Sequence, residues 1–150
     1  MKESIIEVKN LRNAWNAVRT KESAGGIDGT SVEEYGRNIG RNLERLHCAL
    51  VEGRWTPKPY VDLRIPKPDG GERTIGLSVV EDKIVQNAIK TMIEPLLERT
   101  FSSSSYAYRP GRGHQRCVRR VMAELSKNRS GWYFRGDIDD FFDSIDRELL

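Results

Sequence analysis

The sequence feature that most constrains the fold is a long apolar face in residues 80–98. Its hydrophobic side chains recur at the three- and four-residue spacing of an α-helix, at Ile84, Val85, Ala88, Ile89, Met92, Ile93, Leu96 and Leu97. A helix with so broad an apolar face needs other elements to cover it. Pro95 predicts a kink or a restart near its end. A chain of 150 residues is long enough to build a core around this helix without disulfides.

Three further segments show helical periodicity. The first covers residues 5–19, and the second follows a Thr30 or Ser31 N-cap and ends at Gly53. The third covers residues 114–127, with arginines on one face. Its opposite face is predicted to point inward and consists of Val118, Val121, Met122 and Leu125.

Two short strands are predicted between the helices. Tyr60–Ile65 and Arg73–Leu77 flank a turn rich in proline and glycine, which indicates a β-hairpin. Lys67 lies near its tip and Arg73 opens its returning arm, so both cations could reach one anionic ligand such as a triphosphate. Exposed cations that serve solubility alone are the open alternative. Residues 132–138 predict a further strand, inside a sheet.

Charge is unevenly distributed, although the formal net charge is only +3. Residues 109–129 contain six arginines and one lysine against Glu124, which suits phosphates. Tyr106 and Tyr108 alternate with arginines at the start of this block, a pattern that can stack on bases. An ordinary loop followed by a charged surface helix is the alternative.

The segment from Asp137 to Glu148 is acidic, with six acids against Arg147. Carboxylates that follow a strand suit Mg²⁺, which prefers oxygen ligands, and a two-metal enzyme needs a bridging carboxylate. A solvated turn before a helix would explain the same acids. Cys48 and Cys117 are isolated and read as free thiols in a reducing compartment. Without a long apolar run or a signal peptide, we expect a cytoplasmic protein with no membrane partner.

In this order, the segments resemble the N-terminal part of group II intron-encoded, maturase-type reverse transcriptases. The matching motifs are Gly26-Ile27-Asp28-Gly29, Ile65-Pro66-Lys67 with Gly70 and Arg73, Asp82-Lys83-Ile84-Val85-Gln86, Ile93-Glu94-Pro95, Ser105 to Arg112, and Asp137 to Asp146. Departures include Ala107-Tyr108, which stands where the family has Gly-Phe.

The resemblance implies an α+β fold, with a largely helical fingers subdomain, a β-hairpin and the first strand of a palm. Residues 1–24 would form an N-terminal helix, residues 25–130 the fingers, and residues 131–150 the start of the palm with the first catalytic aspartate motif. The chain stops soon after that motif. We therefore expect an N-terminal portion of an RNA-directed DNA polymerase that is inactive alone and can self-associate through exposed palm surface.

The resemblance also implies roles for individual residues. Asp137 would be catalytic and ligate two Mg²⁺ ions, with the Ile138 carbonyl on one of them. The incoming deoxynucleotide triphosphate would contact Lys67, Arg73, Asp140, Phe141 and Phe142, of which Phe142 would exclude ribonucleotides. The residues expected to contact RNA are Gln86, Arg109, Arg112, Arg116 and Arg119. Expected partners are an RNA template with its primer, deoxynucleotide triphosphates and intron RNA.

Two other interpretations remain open from the sequence. The chain could be a non-enzymatic RNA-binding module in which the acids are incidental. Alternatively, the parent protein could belong to a CRISPR-associated, retron or diversity-generating system, since these share the polymerase motifs.

Overall fold

Helices make up most of the regular structure in the computed structural model. It describes residues 2–21, 25–68, 70–127, 132–138, 141 and 144–149. The chain divides into a first unit, residues 1–101, and a second unit, residues 102–150. The first unit contains α1 (Lys2–Ile6), α2 (Val8–Arg19), α3 (Val32–Arg37), α4 (Ile39–Val51), β1 (Val61–Pro66), β2 (Glu72–Leu77) and α5 (Val80–Leu97). The second unit contains α6 (His114–Lys127) and a 3₁₀ turn at Arg147–Leu149. The predicted mixture of helix and sheet is confirmed.

The core of the first unit lies where α2 packs on α5. Side chains from four helices fill it, among them Leu11, Trp15 and Val18 of α2, Tyr35 of α3, Leu43 and Leu46 of α4, and Ile84, Val85 and Ala88 of α5. Asn10 is buried beside them and donates to the carbonyl oxygens of Ile5 at 3.0 Å and Ala88 at 3.2 Å. The apolar face predicted over residues 80–98 therefore organises this unit.

Two of the predicted helices are each divided into two. The chain leaves helical geometry at Glu7, where ψ is 136°, and this separates α1 from α2. It leaves again at Asn38, with φ −123° and ψ 37°, between α3 and α4. The predicted N-cap is confirmed, since the Ser31 hydroxyl accepts from the Glu34 backbone N–H at 3.1 Å. Pro95 causes no restart because it lies in the last turn of α5.

The predicted β-hairpin is confirmed. β1 and β2 pair antiparallel, from Val61 opposite Leu77 to Pro66 opposite Glu72. The Lys67 backbone N–H donates to the Gly71 carbonyl at 2.6 Å and continues this pairing into the turn. Gly70 has a φ of +86°, a conformation that favours glycine and allows the chain to reverse.

The second unit departs from the sequence prediction in two places. Helix α6 has the predicted bounds, but its supposed inward face is exposed: Val118, Val121, Met122 and Leu125 are all at least half accessible. An apolar face is buried only when another element covers it, and the described residues of this unit supply none. The predicted strand at residues 132–138 is also wrong. A strand needs a neighbour for its backbone hydrogen bonds, and none is described here.

Candidate functional site

The hairpin register decides how the two predicted phosphate-binding cations are placed. Arg73 lies opposite Ile65, and Lys67 follows Ile65 by two residues. Because side chains alternate between the faces of a strand, Lys67 and Arg73 belong to the same face, near its tip. Both residues are exposed. The structure thus places together the two residues that were predicted to act together.

The two faces of the hairpin differ in character. Behind Lys67 and Arg73, the same face consists of Val61, Leu63, Ile65, Ile75 and Leu77. The opposite face includes an ion pair between Arg64 and Glu72, at 3.8 Å. Arg64 therefore already has a carboxylate partner, whereas the tip cations share their face with apolar side chains. An anion is better matched to the face that holds Lys67 and Arg73.

The entry to the hairpin is held at its base by a buried aspartate. Asp82, in the first turn of α5, is 2% exposed, and its carboxylate accepts from the Lys58 backbone N–H at 2.9 Å. Burial raises the pKa of the Asp82 carboxyl above its usual value, the Lys58 N–H and ammonium oppose the rise, and the charges of Glu81 and Asp28 add to it. Lys58 precedes β1 by three residues, so this bond anchors the incoming arm on α5.

A glycine-containing loop holds the exit from the hairpin. A Cβ on Gly26 would lie 2.5 Å from the Val79 nitrogen, so only glycine allows this loop to reach the backbone between β2 and α5. Asp28 follows in the same loop and forms an ion pair with Lys58 at 3.6 Å. Both arms are thus attached near the N-terminus of α5.

A second polar group lies beside this attachment. Glu81 forms an ion pair with Arg45 of α4 and accepts from the Tyr35 hydroxyl at 3.4 Å. Burial raises the pKa of the Tyr35 phenol, and the charge of Glu81 raises it further. These contacts join α3, α4 and α5 around a polar cavity of about 350 Å³. Gln86, predicted to contact RNA, is exposed further along α5.

In the second unit, two of the predicted RNA-binding arginines hold a loop. Arg109 is only 9% exposed and donates to the carbonyl oxygens of Ser102 at 2.7 Å and Ser105 at 3.1 Å. Arg112 donates to Ser103 and Ser105, and its guanidinium lies 5.7 Å from the centre of the Tyr106 ring. Most of the Arg109 side chain is therefore covered by the loop that it holds together. The sequence did not indicate this structural role.

The other arginines border a cavity at the start of α6. It has a volume of about 660 Å³ and is lined by Gly111, Arg112, Gly113, His114, Gln115, Arg116 and Arg119. None of these lining residues is acidic. Arg116 donates to the Gly111 carbonyl at 3.3 Å, so the helix and the preceding loop are joined at the cavity. Charge and shape here suit an anionic chain such as a nucleic-acid backbone.

Asp137 is exposed and its carboxylate accepts from the Ile138 backbone N–H at 3.1 Å. Ile138 and Phe141 are exposed too. Asp140 and Phe142 lie outside the described residues, as do Asp139 and Asp143. No group of three potential metal ligands occurs in the part of the chain that is described. Asp137 fits Mg²⁺ as one carboxylate ligand, and a complete site needs further oxygen donors.

Sequence reasoning missed two features of these sites. Asp82 shares a helical face with apolar residues three and seven positions later, and an acid on a buried face is a signal that was available. Tyr108 is the second: it has a φ of +57° and is fully exposed. Nothing in its residue type indicates a left-handed backbone, which is uncommon outside glycine and asparagine.

The helical unit with its hairpin, the basic cavity and the aspartate motif are those expected of a nucleotide polymerase that uses a nucleic-acid template. Residues 65–150 match the family model described as reverse transcriptase (RNA-dependent DNA polymerase). The chain therefore belongs to the reverse transcriptase family, on the branch of group II intron-encoded proteins and maturases.

Three relatives illustrate the match. The chain is 31% identical over 128 residues to Protein YkfC of Escherichia coli, covering 83% of this chain and 34% of that protein. It is 28% identical over 109 residues to the group II intron-encoded protein LtrA of Lactococcus lactis, covering 72% of this chain and 18% of LtrA. Nuclear intron maturase 1, mitochondrial, of Arabidopsis thaliana is 26% identical over 134 residues, covering 75% of this chain and 18% of the maturase. The chain thus spans between 18% and 34% of the length of these relatives.

Across the described parts of the chain, no helix combines the length and apolar character that crossing a membrane requires.

Proposed function

We propose that this chain supplies the triphosphate-binding and template-binding surfaces of an RNA-directed DNA polymerase. The observation that carries the proposal is the hairpin register, which puts Lys67 and Arg73 on one face beside the tip in a chain of the reverse transcriptase family. Arginine can grip phosphate oxygens with two N–H groups while lysine adds a point charge. These two side chains hold the β- and γ-phosphates of a deoxynucleotide triphosphate.

The aspartate motif carries the catalytic part of the proposal. Asp137 is the catalytic carboxylate and, with the Ile138 carbonyl, contributes ligands for Mg²⁺. When bound there, Mg²⁺ lowers the pKa of the primer 3′-hydroxyl and neutralises charge on the leaving pyrophosphate. Asp140 and Phe141 offer backbone amides to the triphosphate, and Phe142 lies under the sugar and excludes a 2′-hydroxyl. These assignments rest on the resemblance of the motif.

RNA lies along the basic cavity of the second unit. Arg112, Arg116 and Arg119 neutralise backbone phosphates there, while Arg109 mainly fixes the loop that leads into it. Gln86 of α5 supports the template, and intron RNA is the natural source of that strand in a maturase-type protein. Cys48 and Cys117 are free thiols, which suits a reducing compartment, and we propose a cytoplasmic location.

Titration calorimetry tests the hairpin assignment. It measures the binding of a deoxynucleotide triphosphate to the 150-residue chain in the presence of Mg²⁺. Lys67→Ala or Arg73→Ala should weaken binding about tenfold or more, since a charge-assisted hydrogen bond contributes roughly 1.5–3 kcal/mol. Arg64→Ala is the matched control. It removes an exposed cation from the opposite face and should leave the affinity unchanged. Equal losses in all three variants would refute a specific site.

A non-enzymatic RNA-binding role is the second candidate, favoured by the arginine-lined cavity. We propose that the chain alone does not extend a primer, because its described residues contain no group of three potential metal ligands. Detectable extension of a primed RNA template would overturn this. If RNA binding survives Asp137→Ala and is lost in Arg116→Ala and Arg119→Ala, the binding surface acts independently of the acids.

A further inference from the structure

Tyr108 combines two features that oppose stable folding. Its backbone has a φ of +57°, in the left-handed region that residues other than glycine rarely adopt. Among the described residues other than glycine, Tyr108 alone has a positive φ. Its ring is fully exposed, so burial of the ring does not offset this unfavourable conformation. A strained residue that is also exposed persists only where the surrounding structure fixes it, which suggests a role outside folding.

The surrounding loop is fixed by two arginines that follow Tyr108 in the chain. Arg109 holds the carbonyl oxygens of Ser102 and Ser105, and Arg112 holds those of Ser103 and Ser105. Arg112 also covers the Tyr106 ring. Four hydrogen bonds thus define the path of the loop, and they leave the Tyr108 ring pointing to solvent with both faces accessible.

The charge beside this loop indicates what the ring meets. Gly111, three residues after Tyr108, begins the cavity that Arg112, Arg116 and Arg119 border, and the described residues of its lining include no acid. A polyanion is the matching ligand. Single-stranded nucleic acid combines such a backbone with bases that stack on exposed aromatic rings.

We propose that Tyr108 is a stacking platform for an unpaired base of single-stranded RNA whose phosphates follow the arginine-lined cavity. The inference rests on the proposed template-binding function and adds a contact to a base, which none of the arginines supplies. The left-handed backbone at Tyr108 turns the ring outward, and the Arg109 and Arg112 hydrogen bonds hold it ready before RNA arrives.

Fluorescence anisotropy with the 150-residue chain and a labelled 12-nucleotide oligoadenylate tests the contact. Tyr108→Ala should raise Kd about 5- to 150-fold, the range for the loss of one stacked base, and Tyr108→Phe should bind nearly as the wild type. Tyr133→Ala is the matched control: Tyr133 is an exposed tyrosine of the same unit without a positive φ. Equal binding by Tyr108→Ala and the wild type would overturn the inference.

Tyr108→Gly separates stacking from stability. Glycine accepts a positive φ readily, so this variant should resist urea better than the wild type while it binds RNA as weakly as Tyr108→Ala. If the tyrosine merely stabilised the loop, affinity and stability would change in the same direction. A Tyr108→Gly protein that binds as tightly as the wild type would contradict the stacking role.

Salt dependence and abasic RNA separate this inference from the function on which it rests. Arg119→Ala should reduce the slope of log K against log salt by about 0.7, and Tyr108→Ala should leave that slope unchanged. On an abasic oligomer, the wild type and Tyr108→Ala should bind alike. If Arg119→Ala weakens binding and Tyr108→Ala does not, the stacking inference fails alone. If neither matters, the proposed RNA surface fails with it.

Discussion

Asp82 is an acidic residue in a buried position, where ionisation of its carboxyl group is unfavourable. Its carboxylate is almost inaccessible, and it accepts from the Lys58 backbone N–H at the base of the hairpin. Removal of a charge from water disfavours the ionised form, so burial raises the pKa of Asp82 above 3.8. The residue therefore anchors the hairpin at an electrostatic cost that depends on pH.

Asp82→Asn should remove that cost while its amide oxygen still accepts from Lys58. A carboxyl whose pKa is higher in the folded state than in the unfolded state stabilises the fold when it is protonated. That contribution is fully present below pH 3.8 and is lost as the pH rises through the folded-state pKa. The free energy of unfolding of the asparagine variant should therefore rise relative to that of the wild type as the pH increases. At pH 7 the variant should be the more stable of the two. Urea unfolding at several pH values measures this difference.

Asp82→Ala is the control for the hydrogen bond itself. It leaves the Lys58 N–H without its acceptor, and an unsatisfied buried donor costs about 1–3 kcal/mol. Asp82→Ala should therefore be less stable than Asp82→Asn at every pH. A wild type that becomes more stable than Asp82→Asn as the pH rises would show that the ionised carboxylate is favoured here.

Single residues show where prediction from sequence succeeds and fails. Thr30 or Ser31 was predicted as an N-cap, and Ser31 is the cap; the prediction was possible because the cap bond reaches only three residues along the chain. The bond from Lys58 to Asp82 spans 24 residues and depends on how the hairpin folds back, so no local pattern reveals it. Arg109 likewise looked like an RNA contact, and its hydrogen bonds to serine carbonyls become visible only in the folded loop.

At the scale of elements, local signals were sufficient for the hairpin and for the bounds of α5 and α6. Proline and glycine mark the turn between β1 and β2, and helical periodicity marks both helices. The failures at Val118 and at residues 132–138 have a common cause. Burial of a helix face and pairing of a strand both depend on a neighbouring element. The periodicity of a segment does not indicate whether that neighbour is present.

Gly70→Ala tests whether the hairpin turn prepares Lys67 and Arg73 for a triphosphate. Gly70 has a φ of +86° in open space, so alanine meets no clash but should cost about 1 kcal/mol of backbone strain. The hairpin tip would then be less ordered, and the triphosphate Kd should rise by about fivefold. Titration calorimetry measures it.

Gly53→Ala is the matched control for that experiment. Gly53 also has a positive φ, +68°, and open space around it, but it follows α4 rather than the hairpin. Its loss of stability should be similar, with the triphosphate affinity unchanged. If both variants weaken binding equally, the turn has no specific role and general destabilisation explains the loss.

At the scale of the whole molecule, the buried apolar residues of the described chain all belong to the first unit. They run from Leu11 to Ala88, whereas α6 contains no buried residue. Most of the stability of a helix in a protein comes from packing of its apolar face. In addition to its backbone bonds, helix α6 has exposed ion pairs, such as Glu124 with Arg120 and with Lys127, and a few side-chain hydrogen bonds to carbonyl oxygens. Pairs of this kind contribute little.

Hydrogen exchange should therefore divide the chain at this boundary. Amides of α2 and α5 should exchange slowest, and those of α6 about 100-fold faster or more, because local opening of an uncovered helix exposes no core. Mass spectrometry of peptides from residues 8–19, 80–97 and 114–127 measures the contrast. Protection of α6 equal to that of α5 would show that its apolar face is covered. If this protection falls on dilution, a second copy covers the face; if it does not, the cover lies within one chain.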